Sequence, residues 1–234
     1  MRIAIMQPYL FPYIGYFQLM RAVDKFVVYD NIQFTKKGWI NRNRILVNGQ
    51  DEYFTVPLKK DSDYLNVDQR KLADSFAGER IKLLRRIAEA YRRAPEFARV
   101  FPLVEEVFNQ QEENLFRFIY GSLLKVNAYL RIPTEIIVSS SIPIDHSLRS
   151  EDKVLAICTA MQATDYINPS GGVELYSKER FRENDISLHF LIPRPVEYPQ
   201  LNHAFVPWLS IIDVMMFNST DRIQEYLESY YSLA

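Results

Sequence analysis

Over the first 66 residues the apolar positions switch between strand-like runs and helix-like spacing. Arg2 to Met6 is a short, largely apolar run closed by Gln7-Pro8, the pattern of a buried parallel strand leaving its sheet at the carboxyl end. After the loop Tyr9 to Phe11, Pro12 suits a first helical position. Ile14, Phe17, Leu19 and Met20 then supply one apolar face, which predicts a helix to about Ala22. KFVVYD, preceded by Asp24, predicts a second strand and completes a βαβ unit, hence a parallel sheet with a right-handed crossover. In RILVNGQDEYFTVPL, Asn48-Gly49 sits between two strand-like runs and predicts an antiparallel hairpin beside the site.

From about Val67 to Leu130 the spacing is helical: Ile81, Leu84, Ile87, Ala88 and Tyr91 share a face, Pro95 breaks it, and another amphipathic run follows Phe101. This block carries no chemical motif. The alternation then returns as strand EIIVSS, helix EDKVLAICTAM, strand DYINP, helix VELYSKERFREN and strand ISLHFL, followed by helices over LSIIDVMMF and TDRIQEYLESYY. The expected fold is α/β, a doubly wound, mostly parallel, Rossmann-like sheet with a β-hairpin and a helical insertion. It forms one domain of three segments: the first βαβ unit plus hairpin (1–66), the helical insertion (67–131) and the second βαβ half (132–234).

At 234 residues and 48% hydrophobic content the chain supports one sizeable core. Its 28 basic and 29 acidic residues give a net charge of -1, so no long-range field favours polyanions and generic nucleic-acid binding is not expected. The single cysteine, Cys158, lies in the apolar stretch VLAICTAM. It permits no intramolecular disulfide and fits a reducing, cytoplasmic setting. Pro8 and Pro12 interrupt the hydrophobic start and no cleavage site follows, so neither a signal peptide nor a transmembrane segment is expected.

Four stretches are candidates for chemistry. In the first, Gln7, Tyr9, Gly15 and Tyr16 lie where the first strand meets a helix amino terminus, the usual ligand position in open α/β sheets. Gln7 offers a donor and an acceptor, and Gly15 permits close approach of a ligand or neighbouring backbone. The bland alternative is a tightly packed turn. In the second, NIQFTKKGWINRNRI interleaves Lys36, Lys37, Arg42 and Arg44 with Trp39, Asn41 and Asn43. Such a loop clamps phosphate or carboxylate groups while an aromatic stacks on a sugar or base; a solvated basic loop is its bland alternative.

In the third, Asn168-Pro169-Ser170-Gly171-Gly172 follows a strand and precedes an expected helix, so backbone N–H groups and a helix dipole face one anion; a plain turn is the alternative. In the fourth, VEYPQLNHAFVPWLSIID places Tyr198, Gln200 and His203 in an aromatic lid or core-closing loop. His203 is the best placed histidine for acid–base work, although a lone histidine is more often a structural hydrogen bonder. His189 falls in a strand and His146 in a polar loop, with no zinc-like spacing to any cysteine or acid. Serine-hydrolase elbow, P-loop and dinucleotide fingerprints are all absent.

The stretches IAIMQPYLFPYIGYFQL, VVYDNIQFTKKGWINRNRI, YINPSGGVELY and PQLNHAFVPWLSIIDVMMFN resemble the WbqC-like protein family along nearly the whole chain. That resemblance implies a setting in O-antigen and other surface polysaccharide synthesis and a glycine-transferase role onto a sugar. A weaker resemblance is to nucleotidyltransferases and class I synthetases, whose first strand is followed by H-x-G-H. Here the position reads Tyr13-Ile14-Gly15-Tyr16, without the histidines that bind a triphosphate.

The leading expectation is a transferase moving an acyl or aminoacyl group, glycyl included, onto a nucleotide-linked amino sugar. Its substrates would be a sugar nucleotide and an acyl donor. Lys36, Lys37, Arg42, Arg44 and the Asn168 to Gly172 loop would hold the diphosphate or donor, and Gln7, Tyr9 and Tyr16 would orient the reacting group. His203 or a tyrosine would move the proton, and the backbone of Gly171 and Gly172 would hold the oxyanion. Cys158 reads as core, so no covalent nucleophile is evident. The alternatives are a non-catalytic sugar-nucleotide binder and an ATP-dependent amide ligase with a degenerate first motif, which predicts ATP and magnesium dependence. No motif identifies a cofactor, a metal or an oligomeric state.

Overall fold

A computed structural model describes residues 1–202 and 204–234. Strand β1 (Arg2–Met6) alternates its side chains across the sheet, with Ala4 in the core on one face and Ile3 and Ile5 in the core on the other. Strand β2 (Lys25–Val28) does the same with Phe26 and Val28 against Val27. Burial on both faces explains why IAIM and FVV show no polar alternation.

The hairpin strands are β3 (Arg42–Val47) and β4 (Gln50–Thr55), and the remaining sheet strands are β5 (Glu135–Val138), β6 (Asp165–Pro169), β7 (Ser187–Pro193) and β8 (Tyr231–Leu233). Among the described residues the main sheet runs β5-β2-β1-β6-β7-β8, parallel throughout except for β8 against β7. From β1 the chain builds outward through β2 and β5, then returns to build the other side through β6 and β7. The reversal falls between β1 and β6, which pair only at Arg2–Asp165 and Ile3–Tyr166. Their ladder stops short of their carboxyl ends, and an open α/β sheet places its ligand crevice at such a point.

The hairpin forms as its sequence predicts: Asn48 (φ 51°) and Gly49 (φ 79°) both take the left-handed region that a tight two-residue turn requires. Helices α1 (Ile14–Arg21), α2 (Phe76–Tyr91), α3 (Phe97–Phe108), α4 (Leu115–Tyr129), α7 (Ile211–Phe217) and α8 (Thr220–Ser229) share the core under Ala4 and Phe26. Helices α5 (Ser150–Ala160) and α6 (Lys178–Arg182) cover the other face, against Ile3 and Val27. No described helix is long and apolar enough to cross a membrane.

Several local expectations are corrected. Pro12 is not helical: Tyr13 is the N-cap, and the Pro12 carbonyl instead accepts the Ile211 N–H at 2.9 Å, which ties the loop to α7. The helical block opens at Val67–Gln69 with one 3-10 turn, and its first α-helix waits until Phe76, because Leu72 and Lys71 are drawn into bridges with Leu58 and Asn114. The helix α3 begins at Phe97, upstream of Phe101. VELYSKERFREN is not one helix: Ser170–Leu175 is a 3-10 turn, Tyr176 is extended, and the Ser177 side chain restarts a short α6 by accepting from the Arg180 N–H. The end of the last expected helix, Tyr231, instead opens β8, whose neighbour Ala234 exchanges backbone bonds with Phe190.

Candidate functional site

A cleft of about 1010 Å³ opens at the carboxyl ends of β1, β2 and β6, the size range of small-molecule sites. Gln7, Tyr9, Gly15 and Tyr16 meet Asn168, Ser170, Gly171 and Gly172 along its wall, so residues more than 150 positions apart in the chain share one site. Tyr16 is buried, and its hydroxyl donates to the Gln7 carbonyl at 3.0 Å, which fixes the point where β1 ends. Burial raises its pKa well above the ordinary tyrosine value, with Tyr9 adding to the shift, so the phenol stays protonated. Gly15 lines the cleft beside Tyr13, and a Cβ there would lie 2.3 Å from the Tyr13 ring.

Across the cleft the buried Asn168 accepts from the Tyr166 hydroxyl at 3.1 Å. Gly172 is required by close packing, since a Cβ would fall 2.0 Å from Asn168 Nδ2, whereas Gly171 faces open space. The turn that follows is 3-10 rather than α-helical, so backbone amides are at hand but the expected α-helix dipole is not.

The strongest polar group in the cleft was not singled out by spacing or motif. Lys153 lies on the buried stripe of α5 beside Val154 and Leu155 and is 5% exposed, yet it lines the cleft. Its Nζ donates to Asn31 Oδ1 at 3.1 Å and stands 5.0 Å from the centre of the Tyr29 ring. Burial lowers its pKa, while Asp30 and Asp68 favour the ammonium. Asp30 is itself buried and accepts from Ser139 Oγ at 2.7 Å and the Ser140 N–H at 2.9 Å. Asp68, held above the ordinary carboxyl value by burial and by Asp30, has one buried oxygen with no partner among the described residues. A lysine at a core-facing helix position was the available signal, because such a charge persists only with partners.

His146 also borders the cleft, with Nε2 3.0 Å from the Ile142 carbonyl and Nδ1 2.9 Å from Asn31 Nδ2. A carbonyl only accepts, so Nε2 carries the hydrogen and Nδ1 accepts from the amide. Both ring nitrogens are thus engaged.

The basic loop starts on the cleft wall with Asn31, Ile32 and Gln33, but its cations, Trp39 and Asn41 turn away toward the hairpin. Lys36 pairs with Asp63 at 2.7 Å, Lys37 is exposed at φ 63°, and Asn41 donates to the Val56 carbonyl at 2.8 Å. Arg42 donates to the carbonyls of Gly38 and Lys37 and stands over Tyr53. Arg44 pairs with Asp51 at 2.8 Å and donates to the Trp208 carbonyl at 3.1 Å. Trp39 and Arg44 instead line a smaller pocket of about 350 Å³ with Tyr9, Pro12, Tyr13 and Trp208.

Tyr198 and Gln200 also lie away from the cleft. Both donate to Asp213 Oδ2, at 2.8 and 2.7 Å, and Tyr91 donates to Oδ1 at 2.8 Å. Asp213 is fully buried, and that burial pushes its pKa up to about 6 against the pull of these donors. His203 lies outside the described residues. Cys158 is core as expected, its thiol pushed up to about 12 by burial. Among the described residues no His, Cys, Asp or Glu group of three or more is arranged to hold a metal ion.

No solved structure matches this chain. The chain is 26% identical over 228 residues, 97% of each sequence, to an uncharacterised protein of Mycobacterium tuberculosis (strain ATCC 25618 / H37Rv). The model of the WbqC-like protein family matches residues 7–225, from the Gln7 strand end into α8 and so through both walls of the cleft. The chain therefore belongs to the WbqC-like protein family.

Proposed function

We propose that the protein is a cytoplasmic transferase that moves an acyl or aminoacyl group, glycyl included, onto the amine of a nucleotide-linked sugar during surface polysaccharide synthesis. The observation that carries this reading is the crevice at the β1–β6 reversal with the buried Lys153 inside it. In open α/β sheets this is where nucleotides bind.

Arg149 and Lys153 are the cations among the described cleft residues, so they replace the hairpin's guanidinium groups as holders of the diphosphate. Asn168, Ser170 and the amides of the following turn complete the anion site. Gln7 and Tyr9 orient the sugar amine, and Tyr16 acts as a positioning residue through the Gln7 backbone. In the transfer the amine nitrogen forms a bond to the acyl carbon, the carbonyl oxygen gains charge, the bond to the donor's leaving group then breaks, and the amine's proton departs with that leaving group. His146, with both ring nitrogens engaged, takes no part in moving the proton.

Thermal melting with UDP-N-acetylglucosamine, UDP and ATP tests the reading. A nucleotide at about 100 times its Kd stabilises by about 2.7 kcal/mol, or roughly 5–10 °C for a chain of this size. UDP and its sugar conjugate are expected to give that shift, and Lys153→Met and Arg149→Ala to lose it. Because Lys153→Met also strands Asp30 and Asp68, the exposed Arg149→Ala keeps the test independent of folding. A shift from ATP with magnesium alone would identify a ligase instead, and silence from all three would overturn the reading.

A further inference from the structure

The smaller pocket adjoins the main cleft, and Tyr9 and Tyr13 line both. Its remaining wall is aromatic and tethered: Trp39 stacks on Tyr53 at 6.0 Å and 20°, and Tyr13 meets the edge of Trp208 at 5.9 Å and 65°. Trp208 is 55% exposed and sits at φ 60°, a region bulky side chains rarely adopt. Arg44 holds it there through the Trp208 carbonyl, and the Arg44 carbonyl takes the Ser210 N–H at 2.9 Å. A large ring kept out of the core at the cost of backbone strain is typical of a ligand clamp.

The geometry points to a subsite for an uncharged pyranose ring in the corner formed by Trp39, Trp208, Tyr13 and Arg44. It deepens the transferase reading, which places the nucleotide in the main cleft and leaves this pocket, which shares Tyr9 with it, to the sugar ring that the nucleotide carries. Three observations fix the ligand class. Arg44 is neutralised by Asp51, so the pocket does not select an anion. A volume of about 350 Å³ accommodates one substituted six-membered ring. The Tyr13–Trp208 pair is angled rather than parallel, which suits a chair presenting C–H groups to two walls and hydroxyls at its edge. The Arg44 guanidinium stands 5.6 Å from the centre of the Trp39 ring and so forms the polar side of the pocket.

The chain's two tryptophans both line this pocket, so intrinsic fluorescence reports on it directly. Purified protein is titrated with methyl β-glucoside and methyl N-acetylglucosaminide, with uridine and adenosine in parallel, in the wild type and in Trp39→Phe and Trp208→Phe. Saturable emission changes with the glycosides in all three proteins are expected. Trp208→Ala, followed through Trp39, should weaken glycoside binding roughly tenfold, as truncating a stacking aromatic does. The thermal shift by UDP should survive in that variant, since Trp208 does not line the main cleft. No saturable change with either glycoside, or tighter binding of the nucleosides, overturns the subsite. Loss of UDP stabilisation with glycoside binding intact would instead overturn the nucleotide cleft alone.

Discussion

The buried carboxyl of Asp213 gives this protein a pH dependence that one substitution removes. In the unfolded chain this carboxyl ionises near 3.8, in the folded protein near 6, because burial outweighs the three hydrogen bonds from Tyr91, Tyr198 and Gln200. Between those values the folded protein holds the extra proton. Stability therefore falls as pH rises through about 4 to 6 and is flat above, by up to roughly 3 kcal/mol for a shift of this size. Asp213→Asn deletes that slope.

It also has a fixed local cost. Gln200 is held by Val206, donating to its carbonyl at 3.1 Å and accepting its N–H at 2.7 Å, so its amide cannot turn. The new amide nitrogen must then face Tyr91, whose oxygen already accepts the Leu46 N–H at 2.8 Å. The Tyr91 proton is left without an acceptor, at about 1–3 kcal/mol. Urea denaturation of both proteins from pH 4.5 to 7.5, followed by tryptophan emission, should show the variant less stable at the acid end and losing that disadvantage by neutrality. Parallel stability curves across the range would refute the assignment of a raised pKa to Asp213.

Two further outcomes follow from the packing. Gly172→Ala must displace Asn168, whose Nδ2 stands 2.0 Å from the added Cβ, and should abolish the UDP-induced melting shift; Gly171→Ala, facing open space, should retain it. Equal effects of the two would contradict the Asn168 contact. Cys158, buried and raised to about 12, should react with a thiol reagent only after denaturation, so rapid labelling of the native protein would show that α5 packs less tightly than described.

Local chemistry made much of the scaffold legible before any coordinates. Asn48-Gly49 specified the hairpin because few residue pairs tolerate two positive φ angles, and the apolar runs of β1, β2 and β6 marked strands buried on both faces. Gln7 and the Asn168 to Gly172 turn were identifiable as cleft residues because an α/β sheet gathers its ligand groups where strands end. The tertiary structure decided what depends on partners distant in sequence. It set the order β5-β2-β1-β6-β7, and so chose β1 and β6 as the pair that opens. It spent Lys36, Arg42 and Arg44 on contacts within and around the hairpin, broke VELYSKERFREN at the Ser177 cap, and turned the carboxyl terminus into a strand against β7. It also brought Lys153 into the field of Asp30 and Asp68 and buried Asp213 between Tyr91, Tyr198 and Gln200. Spacing along a chain reports which face of a helix or strand a residue occupies, but the charge or hydrogen-bond partner waiting on that face is set by how the elements pack, and that partner decides whether a polar side chain serves the core or the cleft.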